Sequence, residues 1–369
     1  MTRKIQLGIL FGGRSAEHEV SLQSARNIIE ALDKDKYDLT LIGIDKQGGW
    51  YLNETSRFLL EAQQPALLKL NEAGPALALV PGAEGHQLVR TGDMSSLPAL
   101  DVAFPVLHGT YGEDGAVQGL LKMAGIPCVG SGILGSAVGM DKDVMKRLLR
   151  EAGIPTPRFC VLHAAQREQI QLEAVLEALG GFPLFVKPAN LGSSVGIHKV
   201  KSAADWEPAL ADAFSFDTKL VIEEGLICRE IECSVLGNQQ PRASLPGEVI
   251  VQAEFYSYEA KYISEDAARL EIPARLPEAQ IAEIQALAVQ TFRVLNCEGL
   301  ARVDFFLTPE GQVYVNEVNT LPGFTRISMY PKLWEASGLS YRELLDQLIA
   351  LALERAAQER KLRTSYLDS

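Results

Sequence analysis

The first 130 residues alternate between apolar runs and segments with apolar residues at helical spacing. The apolar runs of strand length are Ile5–Leu10, Tyr37–Ile44 and Ala99–Leu107, and the helical spacings cover Ser21–Leu32 and Ala116–Ala124. Such alternation predicts an open parallel sheet covered by helices. Residues 62–98 are rich in proline, glycine and alanine, so we expect them to form an excursion from this sheet.

A second part begins with a predicted helix over Asp141–Ala152, which ends before Pro155 and Pro157. The pattern then predicts a helix at Gln166–Leu179, strands at Leu184–Pro188 and Gly196–Val200, a helix near Ala204–Phe214 and a strand at Lys219–Glu223. A loop rich in glycine and serine joins the first two of these strands.

A third part begins with further strands and ends in a long helix. The pattern predicts strands at Glu230–Leu236 and near Gly247–Gln252, a helix at Pro277–Leu295, a hairpin of Gly299–Leu307 with Gln312–Val318, and a helix at Tyr341–Arg360. A length of 369 residues suits two or three domains. The predicted boundaries give parts at 1–140, 141–228 and 229–369, without an internal repeat.

Charge and composition narrow the range of partners. The formal net charge of −12 argues against nucleic acid or an anionic membrane as a partner, although a few buried cations suffice for a small anion. The longest uncharged run, Met123–Met140, contains five glycines and a proline, which argues against a membrane span. Five scattered cysteines without a C-x-x-C pair indicate reduced thiols and a cytoplasmic protein.

The segment VKPANLGSSVG at 186–196 carries the strongest local chemical signal. A strand ends in Lys187, and small residues follow whose backbone N–H groups can approach an anion closely. The segment is not a Walker A loop, because no G-K-[ST] occurs in the chain. A flexible hairpin turn is the alternative interpretation, but the lysine and two hydroxyl groups favour phosphate binding.

The predicted hairpin near the C-terminus carries acidic side chains on one face. Residues two apart on a strand share a face, so Asp304, Glu317 and Asn319 would gather there. Their oxygen atoms suit Mg²⁺, which favours carboxylates together with water and substrate oxygens. A cross-strand ion pair of Arg302 with Glu317 is an equally good interpretation of this face alone.

Two strand ends in the first part offer further candidates. His108 follows the strand Ala99–Leu107, and Glu17 lies just past Gly12-Gly13, at the ends where open sheets bind ligands. A histidine bonded to backbone and a carboxylate at a helix start are the simpler interpretations. Gly130–Gly135 matches the G-x-G-x-x-G pattern of dinucleotide sites, but its preceding strand is short and contains Pro127. We therefore interpret it as a glycine-rich turn between domains.

Six segments in order resemble D-alanine–D-alanine ligase, a family of the ATP-grasp superfamily. They are LHGTYGEDGAVQGLL at 107–121, VGSGILGSAVGMDK at 129–142, VKPANLGSSVG at 186–196, EAKY at 259–262, ARVDFF at 301–306 and NEVNTLPGFTRISMYPKLW at 316–334. The resemblance runs from about residue 4 to about 355. It implies an α/β protein with an ATP-grasp fold behind an N-terminal Rossmann-like sheet. The implied reaction is the ATP-dependent ligation of two D-alanines through an acylphosphate, for peptidoglycan synthesis.

The resemblance also implies roles for residues at matching positions. Glu17 would hold the ammonium of the first D-alanine with Ser193 and Tyr262, and His108 would lie at the substrate. Groups expected to bind ATP are Lys142, Lys187, Ser194, Glu223, Glu224, Leu226, Glu230 and Lys261. Asp304, Glu317 and Asn319 would bind two Mg²⁺ or Mn²⁺ ions, with a monovalent cation left open. Arg302 and the Gly323 backbone would stabilise the oxyanion, and Ser328 with Met329 would bind the second carboxylate.

Alternatives remain within and outside this family. A D-alanine–D-lactate ligase or another ATP-grasp carboxylate–amine ligase is the nearest, although Tyr262 favours the dipeptide because lactate-using members are expected to have histidine in that loop. A non-catalytic nucleotide-binding module would be expected to lack Arg302 or the metal ligands. An NAD oxidoreductase would depend on Gly130–Gly135. The family is usually dimeric, so we expect a homodimer with small-molecule substrates and no nucleic-acid or membrane partner.

Overall fold

The computed structural model describes residues 3–54, 59–60, 69–70, 74–83, 85–251 and 268–363. Within these ranges the chain forms a mixed α/β structure with three main sheets. None of the described helices combines the length and the apolar character that crossing a membrane requires.

The first sheet confirms the predicted parallel arrangement. Its elements are β1 (Ile5–Gly12), α1 (His18–Ala31), β2 (Tyr37–Ile44), β3 (Trp50–Asn53) and, after the excursion, β8 (Val102–Val106). β1 lies between β2 and β8 and pairs with both in parallel, while β3 adds an antiparallel edge. The carboxyl ends of β1 and β8 are therefore neighbours, which is where an open sheet forms its ligand crevice.

The described parts of the excursion form two small separate sheets. β4 (Leu59–Leu60) pairs with β5 (Lys69–Leu70), and β6 (Leu77–Leu79) pairs with β7 (Leu88–Arg90). Neither pair extends the four-stranded sheet, so the prediction of an excursion is confirmed for these residues.

Three helices connect this sheet to the next part: α2 (Ala116–Met123), α3 (Ile133–Met140) and α4 (Lys142–Glu151). The interpretation of Gly130–Gly135 as only a turn was wrong, because α3 begins at Ile133 inside it. Before α3, Cys128 forms a single isolated bridge with Ala103, so no regular strand precedes these glycines as a dinucleotide site requires.

The middle part is an antiparallel sheet with helices on it. Its elements are β9 (Phe159–His163), a 3₁₀ turn (Ala164–Gln169), α5 (Leu172–Leu179), β10 (Leu184–Pro188), β11 (His198–Val200), α6 (Ala203–Ala213) and β12 (Lys219–Glu224). The strand order is β11-β10-β12-β9. The predicted helix at Gln166–Leu179 divides into the 3₁₀ turn and α5, and β9 was not predicted.

The last part is a larger antiparallel sheet. Its elements are β13 (Arg229–Gly237), β14 (Arg242–Ala243), β15 (Gly247–Val251), β16 (Ala268–Glu271), α7 (Glu278–Val294), β17 (Gly299–Leu307), β18 (Val313–Asn319), α8 (Met329–Ala336) and α9 (Tyr341–Glu359). The sheet runs β16-β15-β13-β17-β18, with β14 on β13. α8 was not predicted.

The final helix packs against the first sheet. Buried residues of α9, among them Leu344 and Leu348, share one apolar core with β1, α1 and β8. A second core packs α4 and α7 on the last sheet, and a third lies inside the middle part. The five cysteines are all described and carry free thiols, as predicted.

Candidate active site

The ends of β1 and β8 hold three buried polar side chains. Glu17 is at the N-cap of α1, where a helix N-terminus favours negative charge. His108 lies after β8, and its Nδ1 is 2.9 Å from the Leu321 carbonyl oxygen while its Nε2 is 3.2 Å from Ser24 Oγ. Since a carbonyl only accepts, Nδ1 donates and the ring is neutral when Nε2 accepts from the serine.

Glu113, which the sequence analysis did not single out, stands beside them. Its carboxylate accepts hydrogen bonds from the N–H groups of Gly109 at 2.8 Å and Leu321 at 3.1 Å. Burial, followed by the nearby Glu17 charge, raises the pKa of Glu113 to about 8. The acid thus connects the loop after β8 to the loop after β18.

The glycine–serine loop reaches across to this strand end. Ser193 Oγ donates a short hydrogen bond to the Glu17 carboxylate. Ser193 and its neighbour Ser194 have φ angles of 51° and 60°, a left-handed conformation that costs free energy for residues other than glycine. The middle part is therefore held against the first part in a defined, strained loop conformation.

Buried lysines line the side of the cleft next to this loop. Lys142 Nζ donates to the Leu191 carbonyl oxygen at 2.6 Å and is 3.7 Å from Glu317 Oε2. Lys187 Nζ donates to Glu223 Oε2 at 2.8 Å and to Asn316 Oδ1 at 3.2 Å. Both lysines that the sequence singled out therefore lie in the cleft between the middle and last sheets.

The other oxygen of Glu223 faces a lysine that the sequence analysis missed. Lys146 Nζ is 3.1 Å from Glu223 Oε1, and both side chains are almost fully buried. Burial alone would raise the pKa of the Glu223 carboxyl, but the two ammonium groups hold it below its usual value. The spacing of Lys142 and Lys146, four apart on one helix face, was the signal that could have revealed the second one.

The segment after β12 contains the remaining residues expected at the nucleotide. The Glu224 carboxylate accepts from the backbone N–H of Arg158 at 2.7 Å and from its Nε at 2.8 Å, so this side chain fastens β12 to β9. Leu226 is half-buried beyond the strand end, and Glu230 is half-buried on β13. Glu223 is thus at the end of β12 and Glu230 near the start of β13, while the Glu224 carboxylate is bound to Arg158.

The acidic hairpin has the predicted register. Asp304 is paired with Glu317 and Arg302 with Asn319, and Asn319 Nδ2 donates to Asp304 Oδ2 at 2.9 Å. Asp304, Glu317 and Asn319 therefore share one face. No trio of His, Cys, Asp or Glu among the described residues could hold a metal by itself. Two carboxylates with an amide do fit Mg²⁺, which takes its other ligands from water and phosphate oxygens.

Arg302 pairs differently from the simple cross-strand interpretation. Its Nε and Nη2 donate to Asp304 at 2.7 and 2.8 Å, and its Nε is 2.8 Å from Glu232 Oε2 on β13. Burial alone would lower the pKa of this guanidinium, but Asp304 and Glu232 raise it well above its usual value. Arg302 is therefore a fixed cation beside the predicted metal ligands.

The loop after β18 carries the last candidates. A side chain on Gly323 would come within 2.7 Å of Ser328 Oγ, so the serine side chain would have to move to admit one. Ser328 is the N-cap of α8 and accepts from the Thr325 N–H at 2.9 Å. The Met329 side chain is buried in a small apolar cluster, and its backbone N–H lies in the first turn of α8, where helix N–H groups favour anions. Arg326 is exposed.

The residues Lys261 and Tyr262 lie outside the described residues. Three other candidates, Lys142, Glu317 and Asn319, line a narrow space together with Glu113, Gly139, Met140, Leu191, Gly192, Val318 and Thr320. These residues come from all three parts of the chain. This cleft therefore lies where the three parts of the chain meet.

Comparisons with known proteins agree with this arrangement. Models of the D-ala D-ala ligase N-terminus and C-terminus match residues 6–131 and 148–350. The chain is 54% identical over 365 residues to a D-alanine–D-alanine ligase of Oceanobacillus iheyensis, covering 99% of this chain and all of the relative.

Solved structures show the same likeness in three dimensions. The D-alanine–D-alanine ligase from Coxiella burnetii superposes with a TM-score of 0.83 at 38% identity, over 97% of this chain and 98% of that one. The VanG D-Ala:D-Ser ligase from Enterococcus faecalis gives 0.84 at 34% identity, over 95% and 100%. The predicted family resemblance is therefore confirmed.

Proposed function

The chain belongs to the D-alanine–D-alanine ligase family, and we propose that its cleft joins two D-alanine molecules with ATP, giving D-alanyl-D-alanine, ADP and phosphate for peptidoglycan precursors. The observation that carries the proposal is the hydrogen bond from Ser193 to Glu17. It closes the anion-binding loop directly over the strand end where an amino acid would be held.

The first D-alanine would bind beside this hydrogen-bonded pair. The buried Glu17 carboxylate would accept the substrate ammonium, and Ser193 would share the contact. Tyr262 would join them, as the family resemblance implies. His108 has protein partners on both ring nitrogens, so it would act on this site by fixing the loop at Leu321 rather than by direct contact.

The phosphates of ATP would lie between Lys142, Lys187 and the glycine–serine loop with Ser194. Leu226, Glu230, Glu223 and the backbone of Glu224 would hold the nucleoside, and Lys261 would reach the γ-phosphate. Asp304, Glu317 and Asn319 would hold Mg²⁺ or Mn²⁺. When bound, the metal supplies charge neutralisation, since phosphate and carboxylate repel each other.

The second half of the reaction would occur near Arg302. A carboxylate is a poor electrophile, so phosphorylation by ATP first makes an acylphosphate. The amine of the second D-alanine then attacks its carbonyl carbon, and Arg302 with the Gly323 N–H would stabilise the oxyanion. Ser328 Oγ and the Met329 N–H would bind the carboxylate of the second substrate.

Phosphate release measures this function directly. The enzyme is incubated with ATP and Mg²⁺ and with D-alanine alone, or with D-alanine plus D-lactate or D-serine. We expect phosphate and dipeptide from D-alanine alone, without a large increase from the other acids. No phosphate from D-alanine alone would sink the proposal. Preferential formation of a mixed product would instead assign a different second substrate.

Two further proposals concern the setting of the enzyme. We place it in the cytoplasm, supported by five free cysteines and by substrates of that compartment. We also propose a homodimer, because the family is usually dimeric. Analytical ultracentrifugation at several concentrations would test this, and a single species of 40.2 kDa would contradict it.

A further inference from the structure

Two buried lysines share one buried carboxylate at the nucleotide side of the cleft. Lys146 Nζ is 3.1 Å from Glu223 Oε1, and Lys187 Nζ is 2.8 Å from Glu223 Oε2. The exposed fraction of these side chains is 0% for Lys146, 2% for Glu223 and 9% for Lys187. With all three groups ionised, the two ammonium groups and one carboxylate give this trio a net charge of about +1.

A buried excess charge is costly unless something compensates for it. Among the residues that the structure describes, Lys146 Nζ and Glu223 Oε1 have no hydrogen-bond partner of good geometry although both are buried, so the two groups are held together chiefly by charge. Lys187 instead stands at the cleft, where it also touches Asn316 on the strand of the predicted metal ligands. The uncompensated charge is therefore presented toward the cleft at Lys187.

We propose that Lys146 is a positioning residue for nucleotide binding: it neutralises Glu223, and so leaves the charge of Lys187 available for the phosphate groups of ATP. The inference rests on the proposed function, in which Lys187 contacts phosphate. Without Lys146, Glu223 and Lys187 would form a closed neutral pair. The carboxylate would then compete with the nucleotide for the Lys187 ammonium.

Helix α4 is suited to this role because it bridges two parts of the molecule. Its residues Met145 and Leu149 are buried in the core of the last sheet, while Lys146 between them reaches Glu223 on the middle sheet. Burial lowers the pKa of the Lys146 ammonium, and the attraction of Glu223 opposes that shift. The lysine is thus anchored on one side and paired on the other.

The test separates binding of phosphate from binding of the nucleoside. Dissociation constants for ADP and for adenosine, both with Mg²⁺, are measured by calorimetry on the full chain. The ratio of the dissociation constant for adenosine to that for ADP reports the contribution of the phosphate groups to binding. For Lys146→Met we expect this ratio to fall by about tenfold or more, because Glu223 would then pair fully with the Lys187 ammonium and compete with the phosphates for it. Arg150→Met, an exposed cation on the same helix, should leave the ratio within about twofold of wild type.

A charge-restoring double variant excludes a purely structural role. Lys146→Met with Glu223→Gln again leaves one positive charge, on Lys187, and removes the buried charges together. We expect it to recover most of the lost ratio, even where adenosine itself binds more weakly. The proposal is overturned when Lys146→Met weakens ADP and adenosine equally, or when the double variant recovers nothing.

Folding and the proposed function are checked separately. Thermal unfolding is recorded for every variant, and if Lys146→Met does not fold, the double variant is compared with Glu223→Gln alone. In the double variant, ADP should still bind clearly more tightly than adenosine, because Lys187 keeps its charge. Equal affinities for ADP and adenosine in the double variant would overturn the proposal. Wild-type phosphate release with D-alanine tests the ligase function independently, since the binding measurements need no amino acid.

Discussion

Glu317 combines two features that make it the residue to change first. It is paired with Asp304 across the hairpin and is 3.7 Å from Lys142, yet it belongs to no apolar core. Glu317→Gln keeps the size of the side chain and removes the charge that a metal requires. We expect phosphate release with D-alanine to fall to background while the thermal unfolding midpoint changes little.

The matched control lies on the same pair of strands. Glu310 is exposed in the turn that joins β17 to β18, so Glu310→Gln should retain wild-type activity. Near-normal ligation by Glu317→Gln would remove this residue from the metal site. A large loss of stability instead would mean that Glu317 matters chiefly through its contact with Lys142.

His108 makes a prediction about pH. Burial lowers its pKa, so the folded protein holds the ring neutral while an unfolded chain takes up a proton below about pH 6.5. The unfolded state then binds more protons, and the free energy of unfolding falls by up to about 1.4 kcal/mol per pH unit as the pH decreases.

Urea denaturation between pH 5 and 8 tests this point. His108→Gln should flatten the acid side of the stability profile, since glutamine cannot titrate there. His163 is exposed at the end of β9, and His163→Gln should leave the profile unchanged. An unaltered slope in His108→Gln would show that other groups cause the acid sensitivity.

Strand alternation placed some functional residues from sequence and missed others. Asp304 and Glu317 were predicted to share a face because neighbouring strands of a hairpin leave little choice of register. The contact of Arg302 with Glu232 was not predicted, because Glu232 lies on a strand 70 residues earlier in the chain. Lys146 was missed since a lysine on a helix is ordinarily solvent-exposed.

Among the elements, α4 depends on its first turn to deliver two lysines. Asp141 is its N-cap, and Asp141 Oδ1 accepts from the N–H groups of Asp143 at 3.1 Å and Val144 at 3.0 Å. Lys219 Nζ also pairs with Asp141 at 2.6 Å. The same carboxylate therefore begins the helix and ties it to β12.

Two substitutions separate these contributions. Asp141→Asn keeps a good cap and loses the ion pair, whereas Asp141→Ala loses both. We expect the alanine variant to be less stable than the asparagine variant by about 1 kcal/mol, the usual value of a cap. Both variants are measured by urea denaturation at neutral pH. Equal losses would mean that the ion pair with Lys219 dominates.

The elements that the sequence did not reveal share a physical cause. Gly130–Gly135, which includes the start of α3, was interpreted as a turn because it holds three glycines, Gly130, Gly132 and Gly135, and glycine weakens helices. α8 contains Pro331 in its first turn, where a missing N–H costs nothing, although the same residue indicates a break in a helix interior. Tertiary packing decides both cases, and local pattern cannot weigh it.

At the scale of the whole molecule, the site depends on contacts that no local pattern contains. Glu17 and Ser193 are 176 residues apart, and His108 meets Leu321 across 213. The family resemblance predicted that Glu17 and Ser193 act together, but it did not predict the contact of His108 with Leu321. Periodicity alone placed the two members of each pair in separate parts of the chain. The net charge of −12 likewise says little about the cleft, where the described cations Lys142, Lys187 and Arg302 each contact an acid.

Helix α9, near the C-terminus, packs on the first sheet, and the contribution of this packing to stability is testable. Leu348 of α9 is fully buried in the core that also contains Leu7 of β1 and Phe104 of β8. Leu348→Ala should lower the free energy of unfolding by about 2–5 kcal/mol, the cost of a cavity in a packed core. Leu362→Ala, at a position 69% exposed, should change it by less than about 0.5 kcal/mol.

Hydrogen exchange shows where that loss acts. Because α9 covers the first sheet, amides of β1 and β8 should exchange faster in Leu348→Ala, while those of β10 and β12 in the middle part should be unchanged. The sheet of the middle part has a separate core, which contains no residues of α9. Unchanged exchange in β1 and β8 would mean that the last helix is stabilised by the last sheet alone. Faster exchange confined to the first sheet would instead show that the C-terminal helix holds the strand ends that carry Glu17 and His108.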